Sequence, residues 1–169
     1  MQNHIRYCTF EKIKCPAYLC NEMIPHGEMV DHLKIRHKSW ECRTEASGEI
    51  QDIFWNITIP SMGHIIAKVD GNFFLLNGII TKDLSIILWV TIVGTEEVAK
   101  RYEVKITAAP FGNTSAKTRG KVYSIDTSTK DILKDPRGTL DISKNMAKKM
   151  AEMKDGTPRI CQHYHIIRK

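Results

Sequence analysis

The stretch "CPAYLCNEMIPHGEMVDHLKIRH", residues 15–37, sets two cysteines and two histidines in the order C-x4-C-x11-H-x4-H. Zinc favours four tetrahedral thiolate and imidazole ligands, and a short Cys loop followed by two His about one helical turn apart supplies them. If "HGEMVDHLKIRHK" is helical, His32 and His37 project from neighbouring turns, while Cys15 and Cys20 close a knuckle opposite them. Ile24 and Met29 are expected to form the small apolar core beneath. We therefore read residues 15–38 as a zinc finger with Cys15, Cys20, His32 and His37 as its ligands.

Working outward, "RTEASGE" is a linker, and residues 39–51 are read as linker or edge strand. From residue 52 to 169 the texture changes to short strands. "DIFWNITIP" alternates, with Ile53, Trp55, Ile57 and Ile59 on one face and Phe54, Asn56 and Thr58 on the other. "HIIAKVDGNFFLL" is two apolar runs around Asp70-Gly71, a type I′ hairpin signal. Asn77-Gly78 offers a second turn or a bulge. "LSIILWVTIVG" is a continuous apolar run of strand length, expected to be buried on both faces. "RYEVKIT", "KVYSIDT" and "RICQHYHII" add three further strands. Strands without helices of crossover length between them predict an antiparallel β-sandwich. One later segment looks helical: "DISKNMAKKMAEM" places Met146, Met150 and Met153 at helical spacing behind an N-capping Ser143, expected to close one edge or end of the sandwich.

The chain has 169 residues, enough for one ordinary domain and a small appendage. No apolar run reaches membrane-spanning length and no signal-peptide pattern opens the sequence. Five cysteines, two of them committed to metal, do not read as a disulfide framework, so a reducing compartment, cytosol or nucleus, is expected. The net charge of +6 invites a nucleic-acid reading, but its location argues against one. Residues 1–47 hold seven Lys and Arg against six Asp and Glu, so the finger is nearly neutral. DNA-reading fingers also cover about three base pairs each and work in tandem, and no second complete finger is visible.

"HIRYCTFEKIKCP…C…HLKIRHKS" resembles the seven in absentia (Siah/SINA) family, in which the H-x3-C end of one finger runs into the C-P of the next. His4 and Cys8 match half of the first finger, making residues 1–14 its remnant; Cys15, Cys20, His32 and His37 match the whole second, SIAH-type finger. "IVGTEEVAKRYEVKI" is similar to the family's apolar strand, Gly-Thr turn and Tyr-containing strand through Gly94, Thr95 and Tyr102. "SIDTS" resembles its Phe-Asp-Thr-Ser segment through Asp126, Thr127 and Ser128.

The resemblance implies a TRAF-like antiparallel sandwich of about eight strands with one accessory helix, homodimeric, capturing peptide substrates for ubiquitin-dependent degradation. The RING that would recruit the conjugating machinery is not in this sequence, so the resemblance implies recognition without catalysis. In the family, the residues after the last zinc ligand form an exposed strand to which a substrate peptide adds. That places Ser39, Glu41 and Arg43 on one face, with Trp40 and Cys42 on the other. The family's Asp-Trp-Val-Met-Met strand is replaced by Gly63, His64, Ile65, Ile66 and Ala67, which puts His64 and Ile66 in the expected peptide groove.

No phosphate loop, nucleophile elbow or paired-carboxylate signature occurs, and no catalytic residue is assigned. Cys161, His163 and His165 alternate along the last strand and share a face, but no carboxylate accompanies them in sequence, so a plain strand face is expected. Cys42 is expected to be a small buried thiol. Two other functions stay open: a nucleic-acid-associated finger protein using a basic sandwich face, and a structural dimerisation adaptor.

Overall fold

Asp70 and Gly71 both hold positive φ, at 50° and 77°, the pair of left-handed residues that a type I′ turn requires. They fold β4 (Ser61–Val69) back on β5 (Asn72–Ile80) with Val69 opposite Asn72. β6 (Ile86–Ile92) continues antiparallel on the far side of β5. The computed structural model describes residues 11–17, 19–57, 61–109 and 113–169. His4, Cys8, Thr58 and Ile59 lie outside the described residues.

Two further strands complete the first sheet: β10 (Thr139–Ile142) antiparallel to β6, and β9 (Tyr123–Ser124) parallel to it. The second sheet is organised by β12 (Thr157–Arg168), which pairs with β3 (Glu49–Asn56) on one side. It also pairs with β7 (Tyr102–Ala108), which in turn carries β8 (Ala116–Lys121). β11 (Glu152–Lys154) pairs with the start of β12. The described residues thus form two five-stranded, mostly antiparallel sheets.

Their facing sides make the main core. Ile53 and Trp55 of β3, Phe74 and Leu76 of β5, Leu88 and Val90 of β6, Val104 and Ile106 of β7, and Ile160 and Tyr164 of β12 meet there. Asn77-Gly78 is neither turn nor bulge, because β5 keeps register through it with both neighbours. Gly78 is instead where the Trp55 ring lies: a Cβ at this position would sit 2.7 Å from two ring carbons.

The reverse side of the first sheet is covered too, which explains the unbroken apolar runs. Trp89 of β6 lies beneath Tyr123 and Ile132, the latter on α3 (Thr129–Ile132). Ile66 of β4 and Leu75 of β5 lie beneath the N-terminal segment. Leu75 and Trp89 of these runs are therefore buried within the chain, while Phe73, Ile79 and Ile87 are partly buried.

Helical content after the finger exceeds the single helix expected. α2 (Glu96–Ala99) and α3 start at Thr95 and Ser128, whose side chains accept from the Val98 and Asp131 amides. α4 (Lys144–Met150) follows Ser143, and Met146 and Met150 pack on the core. Met153 does not belong to that stripe: the helix stops at Met150, and Met153 stands on β11, 71% exposed. Asp155 and Gly156, with φ of 52° and 73°, form a second tight turn into β12. Among the described residues, no helix is long and apolar enough to cross a membrane.

Replacing Gly78 by Ala should destabilise the fold by about 1–3 kcal/mol, because backbone and indole cannot both yield. Urea unfolding would show a lower midpoint at unchanged slope. The loss should shrink in a Trp55→Leu background; an equal loss in both backgrounds would show that the ring is not the obstacle.

Candidate metal centre

The site begins with a hairpin. β1 (Lys12–Lys14) pairs antiparallel with β2 (Met23–Pro25), Ile13 opposite Ile24. Cys15 follows β1 directly, its amide donating to the Glu22 carbonyl at 3.0 Å, and the Cys20 amide donates to the Ala17 carbonyl at 3.1 Å. Leu19 takes a left-handed conformation, φ 64°, which turns the chain sharply before Cys20. After β2, one 3-10 turn (His26–Glu28) leads into α1 (Met29–His37). Met29, Val30 and Leu33 turn its apolar side inward, while His32 and His37 face the knuckle. The helix ends where Lys38 adopts a left-handed conformation, φ 52°, and the Ser39 amide returns to the Leu33 carbonyl.

One ligand atom from each of Cys15, Cys20, His32 and His37 lies within 4.8 Å of the others, so the four could hold a metal ion. The separations are informative. Cys15 Sγ and His37 Nε2 are 3.4 Å apart, Cys20 Sγ and His32 Nε2 3.7 Å, and the two Nε2 atoms 3.2 Å. A tetrahedral ion with bonds of about 2.3 Å to sulfur and about 2.05 Å to nitrogen gives edges near ~3.6 Å for S···N and ~3.3 Å for N···N. Three of the six edges thus match those of a tetrahedron around such an ion. Glu22 Oε2 stands 3.9 Å from His32 Nδ1 and can orient that ring from behind, while its other oxygen is 3.7 Å from Arg36 Nη2.

Burial pushes the Cys15 thiol up to about 11, against a backbone hydrogen bond at Ala17 that lowers it. Burial also moves His37 below its ordinary value, with His32 beside it acting in the same direction. A lowered His37 favours the neutral imidazole, the form that ligates a metal. A raised thiol means that protons compete with the metal for sulfur.

The remaining residues singled out in the sequence divide. Segment 40–42 runs along the outer edge of β4, with Glu41 in a parallel bridge to Ile66. The Ile66 amide donates to the Trp40 carbonyl at 3.0 Å, and the Cys42 amide donates to the Ile66 carbonyl at 2.8 Å. Glu41 and Arg43 are exposed and Ser39 half-buried; Cys42 is buried, whereas Trp40 is 53% exposed. Cys42 is a buried core thiol, raised to about 11 by burial. Ile66 is fully buried between β4 and the finger helix, so its side chain cannot line a peptide groove. His64 is half-buried on the same face of β4, its Nδ1 2.6 Å from Asn77 Oδ1. Asn77 in turn donates to the Leu75 carbonyl and to Thr91 Oγ1. Burial lowers the His64 pKa against that Asn77 bond. Both expected groove residues therefore belong to the seam beneath the finger, because β4 turns this face toward α1.

The expectation that no carboxylate joins the last strand is also overturned. Asp52 of β3 comes beside Cys161 and His163, whereas His165 is not in that group. Sequence adjacency could not reveal it, since the pairing of β3 with β12 joins residues more than 100 positions apart. No protein-family model matches this chain, and no curated protein matches it.

The purified protein should carry a metal ion that Cys15→Ser releases, measured as metal per chain by mass spectrometry. Retention should fall as pH is lowered, because the thiols take up protons and the ion leaves. An ion retained equally in Cys15→Ser, or retention independent of pH between 7 and 4 (~3 units of proton competition), would contradict the site.

Proposed function

We propose that this chain is a protein-recognition module of seven in absentia type: a zinc-bound finger holds an edge segment on a TRAF-like sandwich, and an extended peptide adds to that segment. Two thiolates and two imidazoles in a closed tetrahedral set favour zinc over harder or larger divalent ions. The ion on this reading is structural, since all four positions are filled by the protein.

The observation that carries the reading is the state of Glu41. In a parallel bridge that uses the Trp40 carbonyl and the Cys42 amide toward Ile66, the amide and carbonyl of Glu41 point away from the sheet. Such outward groups are what an added strand pairs with. Exposed Trp40 stands beside them as an aromatic anchor. Lys34 of α1 is 2.5 Å from Glu41 Oε2, so the finger helix grips the segment from one side. Anchoring it in this way lowers the ordering cost a partner would otherwise bear. The exposed apolar side chains of the finger region, Leu19, Met23, Ile35 and Trp40, fit a protein partner better than a phosphate backbone. Substrate capture for ubiquitin transfer, with a RING supplied elsewhere, and a homodimeric state enter this reading from the sequence resemblance alone.

Peptides selected from a random array should lose ~2 kcal/mol, a roughly thirtyfold loss, on Trp40→Ala. Glu41→Pro removes the outward amide while sparing the Cys42 amide bond, and should abolish binding of the same peptides. Affinity should change little between low and high salt. Binding that survives Glu41→Pro would remove strand addition here, and a steep loss with salt would favour a nucleic-acid ligand instead.

A further inference from the structure

β3 and β12 lose register at one place. Gln162 faces Ile53 and Tyr164 faces Ile50, so Gln51 and Asp52 together oppose His163. This bulge lets Ile50 and Ile53 both reach the core, and it leaves Asp52 in a left-handed conformation, φ 58°. Asp52 is thereby directed to the outer side of the second sheet, where Cys161 and His163 of β12 also point. Ligand atoms of all three lie within 4.8 Å of one another, and Asp52 Oδ1 is 3.6 Å from His163 Nε2.

We infer that Asp52, Cys161 and His163 form a second metal site, for a borderline divalent cation of the zinc and cobalt class. The donor set argues for that class: one sulfur, one imidazole nitrogen and one carboxylate oxygen suit zinc, whereas calcium and magnesium prefer oxygen alone. The 3.6 Å separation of nitrogen and oxygen is near the ~3.3 Å edge of a tetrahedron with bonds of about 2.0–2.1 Å. Burial is graded across the site: Cys161 is 3% exposed, and the Asp52 side chain 69%. The sulfur is sheltered while the carboxylate side opens to solvent, so the fourth position falls to water. That makes the site exchangeable, unlike the closed set in the finger. It differs from the finger in location as well, since it joins the first and last strands of the second sheet.

The experiment is a titration of Co2+ into the full chain with its finger already metal-loaded, following the thiolate-to-cobalt charge-transfer band and the metal retained per chain. The expected result is one further equivalent whose band is lost in Cys161→Ser and whose affinity falls at least tenfold in Asp52→Asn. Asn tolerates the left-handed conformation, so this second variant removes the charge without straining the bulge. If Cys161→Ser fails to fold, Asp52→Asn decides alone. No uptake beyond the finger's equivalent would show that His163 and Asp52 are only an ion pair, and uptake unchanged in Asp52→Asn would place the cobalt elsewhere; either overturns the site.

Discussion

The underside of the finger helix has only one place to go. Met29, Val30 and Leu33 belong to a segment too short to bury them by itself, and they share a cluster with Ile66 and Leu75 on the outer face of the first sheet. Each such side chain contributes about 1.5–3 kcal/mol when removed from water. Finger and sandwich therefore share one seam, with the Cys and His cluster fixing the helix above it and the sheet sealing it below. The rest follows from that contact. β4 and β5 must carry apolar side chains, Ile66 and Leu75, on their outer faces where the helix lies, and the chain leaving α1 is delivered to the edge of β4.

That delivery links fold to function. Lys38 turns the chain with a left-handed conformation, the Trp40 carbonyl and the Cys42 amide engage Ile66, and Lys34 holds the Glu41 carboxylate. The segment is positioned from both ends without using the backbone groups of Glu41. On the proposed reading, the finger serves recognition by shaping an edge and contributes no ligand contact through the metal.

Much of this was legible in the sequence because it rests on local chemistry. The ligand spacing, the small core at Ile24 and Met29, the Asp70-Gly71 turn and the doubly buried β6 each depend on a few neighbouring residues. Asp155-Gly156 carried the same turn signal as Asp70-Gly71, yet it followed directly on an apparent methionine stripe, and helical spacing masked it. Asn77-Gly78 misled for the opposite reason: its turn chemistry is overridden by Trp55, which needs a residue without a side chain beneath its ring. The placement of His64 and Ile66 was out of reach, since alternation assigns residues to faces without saying which face a distant helix will cover. The bulge at Asp52 is likewise a property of pairing across the sheet.

On the proposed reading, a metal held by Cys15, Cys20, His32 and His37 steadies α1, and α1 in turn keeps segment 40–42 against β4. Hydrogen exchange of the Cys42 and Ile66 amides, before and after chelation, tests it most directly, because both amides bond across that junction. The account predicts exchange at least ~10-fold faster at these two amides once the ion is removed, while β6 and β7 keep their protection. Unchanged protection of Cys42 and Ile66 in the metal-free protein would contradict it.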